Sequence, residues 1–335
     1  MNKAEKKAIV NPDNPNGIYL YEYPVINGIK QYIQVRGTDR KNPLMLFIHG
    51  GPGGSMAGLT HFVHKGWEEK FTLVNWDQRN SCKTYFANKD KAREIAKTGT
   101  MADYLKDIDE IIAYLHGVYD FEKIIIVGFS WGSVIGAEYA RCHPENVLCY
   151  IGIGQIVSYS GGLKYICNKL SELAKDNPKE LAQLEAFEKV ISANIGFTKE
   201  FFIAQRGYMA VATKYLSKNS KPFPFKETLA SPLLNFKEKL FIFESDLTLY
   251  EQTFRTLENY NFKDDMNYKV PVLFVFGDED FVCPNELIAD CFDDITAPVK
   301  RFEVISKAGH SCFCDQPESY NEIINSFLTK IKAVQ

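Results

Sequence analysis

Residues 123–143 read K-I-I-I-V-G-F-S-W-G-S-V-I-G-A-E-Y-A-R-C-H, and this stretch decides the fold. Residues 124–127 are a short β-branched run, which is the composition of a buried strand. Residues 134–140 belong to a segment long enough to be a helix. Between them, residues 128–132 match G-x-S-x-G, a pattern in which a sharp turn lifts a serine hydroxyl above the sheet. Glycine flanks the serine because a side chain there would collide with neighbouring backbone, so we predict that Ser130 is a nucleophile.

The overall composition is that of an ordinary globular protein. Of the 335 residues, 45% are apolar and 24% are charged, and the formal net charge is −3. This balance gives no electrostatic reason to expect nucleic acid or an anionic membrane as a partner. The N-terminus is basic without a following apolar core, and no segment reaches the ~18 uninterrupted apolar residues that span a bilayer. We therefore expect a soluble, cytoplasmic protein, and the oligomeric state is left open.

The cysteines give no sign of a disulfide framework or a metal site. The chain has eight of them, scattered without regular spacing, so we expect reduced thiols. Cys312 and Cys314 lie close to His310 in the chain, but zinc sites usually need a wider cysteine pair and further ligands. No metal is therefore expected.

The first half of the chain alternates between strand and helix patterns. Residues 17–23 and 31–36 are predicted strands joined through Asn27-Gly28, a strong hairpin signal. The order of elements predicts a mostly parallel central sheet flanked by helices on both faces. The further predicted elements in this half are strands over residues 44–48, 71–76 and 147–153 and a helix over residues 101–115, capped by Thr100 with Asp103.

A helical insertion is predicted to interrupt the sheet. Between residues 160 and 261 we find helical periodicities and no convincing strand. The α/β pattern then returns, so we expect a core formed by residues 1–158 and 266–335 and an all-helical cap formed by residues 159–265. Such an insertion usually sits at the strand ends that carry the site, where it acts as a lid. The returning elements are strands over residues 270–276 and 299–305 and helices over residues 285–291 and 317–331.

A serine nucleophile requires a histidine to accept its proton and a carboxylate to orient that histidine. After a G-x-S-x-G turn, the acid is expected next in the chain and the histidine last. Only two histidines follow Ser130, and His143 lies at the far end of the helix that the serine begins, out of reach. His310, in a loop just after a predicted strand, is therefore the expected base.

The acid should follow the predicted strand over residues 270–276. That strand ends in Gly277-Asp278-Glu279-Asp280, which offers three carboxylates, of which at most one can face the histidine. On the residues alone, Asp280 and Asp278 remain alternatives.

Two backbone N–H groups are needed to bind the oxyanion of the tetrahedral intermediate. One is expected from Trp131, directly after the nucleophile, and the other from the glycine-rich loop over residues 49–55. In that loop Pro52 has no N–H, which favours Gly51 as the donor.

Five motifs together resemble the α/β-hydrolase superfamily and, within it, the proline iminopeptidase-like branch. The resemblance implies a triad of Ser130, Asp280 and His310, the oxyanion donors Gly51 and Trp131, and a helical cap at the predicted insertion. The motifs are His49-Gly-Gly-Pro-Gly53, Asp77-Gln-Arg79, Gly128-x-Ser130-Trp131-Gly132, Gly277-x-x-Asp280 with Cys283-Pro284, and Gly309-His310-Ser311.

One motif departs from the family pattern. The family usually continues D-Q-R with Gly-x-Gly, whereas this chain continues with Asn80-Ser81-Cys82. We expect the turn to form nevertheless, because asparagine tolerates the left-handed conformation.

The resemblance implies a serine aminopeptidase that releases N-terminal proline, or another small apolar residue, from short peptides through an acyl-enzyme, without a metal or organic cofactor. In this branch, carboxylates of the cap bind the free amine of the substrate. Glu244 and Glu251, beside an apolar seam over residues 240–257, are the candidates here, and Gly50 is expected to contact the substrate. The alternatives are an esterase, lactonase or amidase for small apolar substrates and, from another class, a non-catalytic ligand-binding protein.

Overall fold

The central sheet has eight strands in the spatial order β1-β4-β6-β5-β7-β8-β9-β10. The computed structural model describes residues 3–10, 12–64, 66–193, 196–221, 224–244 and 246–332. Six neighbouring strands, from β6 to β10 in that order, are parallel, and β1 and β4 complete one edge as antiparallel strands. The strands are β1 (Ile18–Glu22), β2 (Val25–Ile26), β3 (Ile29–Lys30), β4 (Tyr32–Gly37), β5 (Leu44–Ile48), β6 (Thr72–Asp77), β7 (Ile124–Phe129), β8 (Val147–Ile153), β9 (Val272–Gly277) and β10 (Lys300–Ile305).

Helices cover both faces of this sheet, which confirms the predicted fold class. Every residue of β7 is buried because its alternate side chains enter different cores: Ile124 and Ile126 one, Ile125 and Val127 the other. The helices are α1 (Lys3–Val10), α2 (Thr60–Val63), α3 (Cys82–Ala87), α4 (Ala92–Ile95), α5 (Met101–His116), α6 (Trp131–Cys142), α7 (Tyr159–Leu173), α8 (Pro178–Ser192), α9 (Lys199–Leu216), α10 (Phe225–Ala230), α11 (Phe236–Glu244), α12 (Glu251–Asn259), α13 (Asn285–Ala289), α14 (Cys312–Asp315) and α15 (Pro317–Lys332).

The predicted hairpin differs in detail from the structure. Asn27 and Gly28 form a positive-φ turn, with φ of 47° and 80°, but this turn closes the separate two-residue ribbon of β2 and β3. The longer strands β1 and β4 pair antiparallel with each other outside that ribbon. The two predicted strands therefore pair as a hairpin, and the unpredicted feature is the short β2–β3 ribbon that lies between them and the turn.

Between β8 and β9, the described residues contain only helical elements. The helices α7, α8 and α9 share an apolar core of their own, which includes Leu170, Phe187 and Tyr208. Among the described residues, none of the helices combines the length and apolar character needed to cross a membrane.

The apolar seam expected over residues 240–257 does not lie on one continuous helix. The helix α11 ends at Glu244, a 3-10 turn follows at Leu247–Tyr250, and α12 begins only at Glu251. The break has a local cause, because the Asp246 side chain accepts a 3.0 Å hydrogen bond from the Thr248 N–H and starts a new turn. Two seam positions, Leu240 and Leu247, are consequently 46% and 38% exposed.

Candidate active site

Ser130 lies at the junction between β7 and α6 in a strained backbone conformation. Its φ and ψ are 52° and −120°, and its N–H donates a 2.9 Å hydrogen bond to the Ile153 carbonyl oxygen. A Cβ on Gly128 would lie 2.5 Å from the Gly132 carbonyl oxygen, and one on Gly132 would lie 2.0 Å from that of Ile48. The two glycines are therefore required by close backbone contacts on both sides of the serine.

Asp280 and His310 meet at the ends of two neighbouring strands. His310 Nδ1 lies 2.9 Å from Asp280 Oδ2, while Asp280 Oδ1 accepts hydrogen bonds of 2.9 and 2.8 Å from the N–H groups of Val282 and Cys283. The carboxylate is fully buried, whereas the imidazole is 23% exposed. Nδ1–H donating to Asp280 leaves Nε2 with a free lone pair, as a base requires.

The three acids of the 277–280 turn point in different directions. Asp280 reaches His310, whereas Asp278 is exposed and its Oδ1 accepts a 3.1 Å hydrogen bond from the Ala308 N–H. Glu279 accepts hydrogen bonds from backbone N–H groups of residues 218–220. The geometry thus places Asp280, and neither of the other two acids, against the imidazole.

Cys283 is a neighbour of the triad whose position the sequence did not indicate. Its thiol is fully buried, which raises its pKa; the Asp280 charge raises it further, and a hydrogen bond from the Ser130 hydroxyl lowers it. No hydrogen bond joins Ser130 Oγ to His310 within the described ranges. Hydrogen bonds between catalytic groups are often longer in a free enzyme than in its substrate complex, so this separation is compatible with His310 as the base for Ser130.

The Cys283 thiol also completes a group of potential metal ligands. One donor atom each of Asp280, Cys283 and His310 lies within 4.8 Å of the other two. Carboxylate, thiolate and imidazole are ligand types that zinc accepts, so a soft divalent cation bound here would occupy the base.

Gly51 and Trp131 occupy positions suited to binding an oxyanion. Gly51 has a φ of 115°, and a Cβ there would lie 2.6 Å from the amide nitrogens of both Gly53 and Gly54. No hydrogen bond between described residues uses the Gly51 N–H. Trp131 is the first residue of α6, so its N–H has no partner within the helix. Gly50 packs beside the nucleophile, since its Cβ would lie 2.9 Å from Ser130 Cβ.

One side-chain network joins three of the sequence motifs. Gln78 Nε2 donates to the His49 carbonyl oxygen at 2.8 Å, and Gln78 Oε1 accepts from Trp131 Nε1 at 2.9 Å. His49 Nε2 accepts from the Gln78 N–H at 3.2 Å, and burial lowers the pKa of His49 to about 4. Gln78 therefore fixes the start of the glycine-rich loop against the residue that follows the nucleophile.

Asp77 also contacts the glycine-rich loop, through the side chain of Ser55. Its Oδ1 accepts a 2.5 Å hydrogen bond from Ser55 Oγ, and its Oδ2 accepts a 3.0 Å bond from the Lys83 N–H. Burial raises the pKa of Asp77 to about 6. Arg79 makes a two-pronged, buried ion pair with Asp107, with both N–O distances 2.6 Å. Asp77 and Gln78 thus contact the glycine-rich loop, whereas Arg79 connects the same motif to α5.

The turn after D-Q-R forms as expected, with Asn80 at a φ of 57°. Its side-chain amide donates to the carbonyl oxygens of Ala92 and Leu249, and its own carbonyl oxygen accepts a 2.7 Å hydrogen bond from Tyr250 Oη. The Tyr250 ring in turn packs so closely on Gly53 that a Cβ there would lie 2.5 Å away. Through Tyr250, this asparagine thus links the helical segment to the glycine-rich loop.

Gly154 is a site position that sequence reasoning missed. It follows β8 with a φ of 54°, and a Cβ there would lie 3.2 Å from both Asp280 Oδ2 and His310 Cε1. The available signal was the repeated glycine of residues 152–154 at the end of a buried strand, where open α/β sheets carry their sites.

The proposed cap acids lie away from the triad or outside the described residues. Glu251 Oε1 pairs with Arg255 at 2.7 Å, its side chain is 66% exposed, and it lines a cleft of about 830 Å³ in the helical segment. None of the triad residues lines this cleft. The side chain of Glu244 falls outside the described residues.

A different acid, Glu258, lies deeper in the same cleft. It is half-buried, and burial raises its pKa while the charge of Arg255 in the same cleft lowers it in part. Tyr159 lies between this cleft and the triad: its ring is 5.2 Å from that of Phe197, which lines the cleft. Burial raises the pKa of Tyr159, and the charges of Cys283 and Glu258 raise it further, so both groups are near its hydroxyl.

Comparison with known proteins gives one matching family and several distant relatives. The profile of a family described as alpha/beta hydrolase fold matches residues 43–317. A Bacillus subtilis (strain 168) protein named "Probable aminopeptidase YbaC" is 25% identical over 313 residues, which are 88% of this chain and 92% of that protein. A Xenopus tropicalis protein named Epoxide hydrolase 3 is 23% identical over 308 residues, 90% of this chain and 75% of that protein.

Among solved structures, a proline iminopeptidase from Mycobacterium smegmatis is similar to this chain. The two align with a TM-score of 0.65 at 18% identity, over 95% of this chain and 99% of that one. At this level of identity the similarity concerns the fold alone.

Proposed function

This chain belongs to the alpha/beta hydrolase family, and from that premise we propose that it is a serine hydrolase with the triad Ser130, His310 and Asp280. The observation that carries the proposal is the 2.9 Å contact between His310 Nδ1 and Asp280 Oδ2, made beside a serine at positive φ. Few other roles would explain a buried carboxylate that orients a partly exposed imidazole next to a strained serine.

The proposed mechanism is acyl transfer in two steps. Ser130 Oγ attacks the scissile carbonyl carbon while His310 Nε2 takes the hydroxyl proton, and the Gly51 and Trp131 N–H groups bind the resulting oxyanion. His310 then gives this proton to the leaving amine, and the acyl-enzyme forms. Water attacks the ester carbonyl with His310 again as base, and the acid product and free Ser130 are released.

The preferred substrate in this proposal is a peptide with a free N-terminal amine, and proline is the favoured first residue. The relative named as a probable aminopeptidase, of which this chain covers 92%, supports this choice. Glu258 is a candidate to bind the ammonium group, because it is half-buried and burial raises its pKa, an effect that the Arg255 charge offsets in part. Glu244 and Glu251 stay secondary candidates, and Gly50 is proposed to contact the substrate beside Ser130.

An esterase or amidase is the second candidate. Phe197, Phe202 and Phe254 line the cleft of the helical segment, and their apolar surfaces suit an acyl chain as well as a proline ring. Both functions use the same triad, so only the substrate distinguishes them.

A substrate comparison tests the aminopeptidase proposal. We expect kcat/KM for proline p-nitroanilide to exceed that for its N-acetyl derivative by at least about 10-fold, because a charged hydrogen bond contributes roughly 1.5–3 kcal/mol. Equal or faster turnover of the N-acetyl compound would contradict the proposal, and faster turnover of p-nitrophenyl butyrate would favour the esterase.

A substitution of Glu258 tests its proposed role in binding the ammonium group. Glu258→Gln should lower kcat/KM for proline p-nitroanilide by about 10-fold and leave p-nitrophenyl butyrate turnover unchanged. Glu185→Gln is the matched control, because Glu185 is an exposed acid on α8 outside the cleft. If Glu258→Gln affects both substrates equally, its carboxylate does not bind the amine.

A further inference from the structure

Residues 217–221, which follow α9, lie across two loops. One is the acid loop (residues 277–280), which carries the proposed acid, and the other is the base loop (residues 306–311), which carries the proposed base. We call residues 217–221 the strap. It leaves the helical segment at Leu216 and contacts Glu279, directly before Asp280, and Gly309, directly before His310. The two loops also touch each other, since the Asp278 carboxylate accepts the Ala308 N–H at 3.1 Å. Strap, acid loop and base loop therefore form one packed unit.

Glu279 binds one side of the strap. Its Oε2 accepts hydrogen bonds of 2.8, 2.7 and 3.2 Å from the N–H groups of Lys218, Asn219 and Ser220, and its Oε1 accepts from Asn219 Nδ2. Partial burial raises the pKa of Glu279, but these hydrogen bonds outweigh that effect and lower the pKa overall. Four donors on one carboxylate indicate that the ionised form is the form that holds the strap.

Asp315 binds the other side of the strap and the base loop at once. Its Oδ1 accepts a 2.9 Å hydrogen bond from the Lys221 N–H, and its Oδ2 accepts a 2.8 Å bond from the Gly309 N–H. Lys221 Nζ donates to the carbonyl oxygens of Cys314 and Asp315 at 3.0 and 2.9 Å. The Asp315 residue is only 6% exposed, so water competes little for these bonds.

Gly309 is the point of closest approach between strap and base loop. A Cβ on Gly309 would lie 2.5 Å from Ser220 Cβ and 3.1 Å from Ser220 Oγ. Gly309 is not one of the glycines with a positive φ. A glycine is therefore required here by the lack of space for a side chain, since the backbone conformation is one that any residue can adopt.

We propose that Asp315 and Glu279 are positioning residues, which hold His310 and Asp280 in register through the strap and so couple the helical segment to the triad. The proposal rests on the proposed function, in which His310 is the base. Displacing the strap would remove the packing of Ser220 on Gly309 and the Lys221 bond to Asp315, so the base loop and its imidazole would be free to move. A misplacement of about 1 Å at a reacting group can lower a rate by roughly 100-fold.

The first test compares two ties between the helical segment and the core. Asp315→Asn can accept only one of the two N–H groups, because its amide nitrogen is a donor. We expect it to lower kcat for proline p-nitroanilide, and the rate of fluorophosphonate labelling, by about 10-fold or more, with KM within about 3-fold of wild type. Glu279→Gln should act in the same direction.

Glu286→Gln is the control for this test. It breaks another tie to the helical segment, the 2.9 Å pair between Lys169 and Glu286, which lies away from the base loop. We expect wild-type kcat and labelling from this variant. If Glu286→Gln and Asp315→Asn have equal effects, general anchoring of the helical segment explains both and the positioning proposal is wrong.

A rescue experiment tests the strap contact independently of whether Asp315→Asn folds. Gly309→Ala should lower kcat and slow labelling because the new Cβ collides with Ser220. Ser220→Gly removes the colliding atoms, so the double variant should recover most of the lost rate. If the double variant is as slow as Gly309→Ala alone, the strap does not set the position of the base.

The proposal and the proposed function fail in different ways. If Ser130→Ala kept wild-type activity, the proposed function would fail. Hydrogen exchange would still report on the strap, because Glu279→Gln should accelerate exchange of the Lys218, Asn219 and Ser220 amides. Unchanged exchange of these amides would show that Glu279 does not hold the strap, whatever the enzyme does.

Discussion

At the residue scale, the candidate site depends on backbone positions that tolerate no ordinary side chain. Ser130 itself has a φ of 52°, a conformation that costs a non-glycine residue roughly 1–2 kcal/mol. The close backbone approach at Gly128 and Gly132, where a Cβ would collide, accompanies this strained turn at the end of the sheet. A strained backbone at this position is what the proposed role of Ser130 as nucleophile would require.

Gly154→Ala should reduce activity by more than its effect on stability explains. The new methyl group would lie 3.2 Å from both Asp280 Oδ2 and His310 Cε1, so the imidazole has to shift. We expect kcat to fall by about 10-fold or more, measured on proline p-nitroanilide with the folded state verified by thermal unfolding.

Gly28→Ala is the matched control for this prediction. Gly28 also has a positive φ, of 80°, but a Cβ there would meet nothing within 4 Å. Both substitutions should therefore destabilise the protein by a similar amount, roughly 1–2 kcal/mol, while only Gly154→Ala slows catalysis. Equal losses of kcat in the two variants would contradict a specific role for Gly154.

The sequence predicted those site residues whose chemistry and chain order constrain them. Ser130 follows from its turn pattern, and His310 from elimination, because the other later histidine lies on the wrong end of a helix. Gly154 was not predicted, because it reaches the triad only through contacts between strand ends that are distant in sequence. Cys283 was part of a motif, but the sequence does not show that its thiol faces the triad. Glu258 was missed because helical spacing cannot tell which acid faces the cleft.

At the scale of elements, one glutamine joins the glycine-rich loop to the helix that begins after the nucleophile. Gln78 contacts His49 and Trp131 with its two side-chain heteroatoms, and these three residues come from three separate motifs. The bonds are buried, so their loss would leave unsatisfied polar groups as well as a loose loop.

Gln78→Leu should therefore weaken oxyanion binding without altering the triad. We expect kcat to fall about 10–100-fold with KM changed much less, because the bound oxyanion exists only after attack. Trp131→Phe loses one side-chain bond but keeps the Gln78–His49 contact and the backbone N–H, so its loss should be smaller. A larger loss in Trp131→Phe than in Gln78→Leu would contradict this assignment.

Element types were easier to predict than element boundaries. The strand β5 and the helix α5, with its Thr100–Asp103 capping box, follow directly from apolar runs and cap chemistry. The apolar seam over residues 240–257 failed because spacing alone ignored the Asp246 turn, which interrupts the helix. Similarly, the Asn27-Gly28 turn and the two strands that it joins were predicted, but the short β2–β3 ribbon at the turn was not.

At the scale of the whole molecule, buried histidines connect stability to pH. His64 stacks on Trp67 at 4.8 Å, and neither ring nitrogen has a hydrogen-bond partner among the described residues. Burial lowers the pKa of His64 to about 3, whereas an unfolded chain binds that proton near 6.5. The unfolded state therefore binds more protons as the pH falls from about 6.5 towards 3, and folding stability is lost over that range.

His64→Phe should make stability less sensitive to acid. Phenylalanine keeps the stack on Trp67 and cannot take up a proton. Between pH 7 and pH 5 we expect the variant to lose about 2 kcal/mol less unfolding free energy than wild type, from roughly 1.4 kcal/mol per pH unit for one proton. Urea unfolding at the two pH values measures this difference.

His116→Phe serves as the control for acid sensitivity, because His116 is exposed at the end of α5. The unfolding free energy of His116→Phe should change with pH in the same way as that of the wild-type protein. An equal flattening in both variants would show that burial of His64 is not the cause.

The central claim is that Ser130 is the nucleophile of an acyl-transfer site. Covalent labelling with a fluorophosphonate, followed by mass spectrometry of the tryptic peptides, tests it most directly. The wild-type protein should carry one phosphonyl group on Ser130, and Ser130→Ala should remain unlabelled and lose turnover of proline p-nitroanilide. Labelling of Ser130→Ala at the wild-type rate, or full turnover by that variant, would contradict the account.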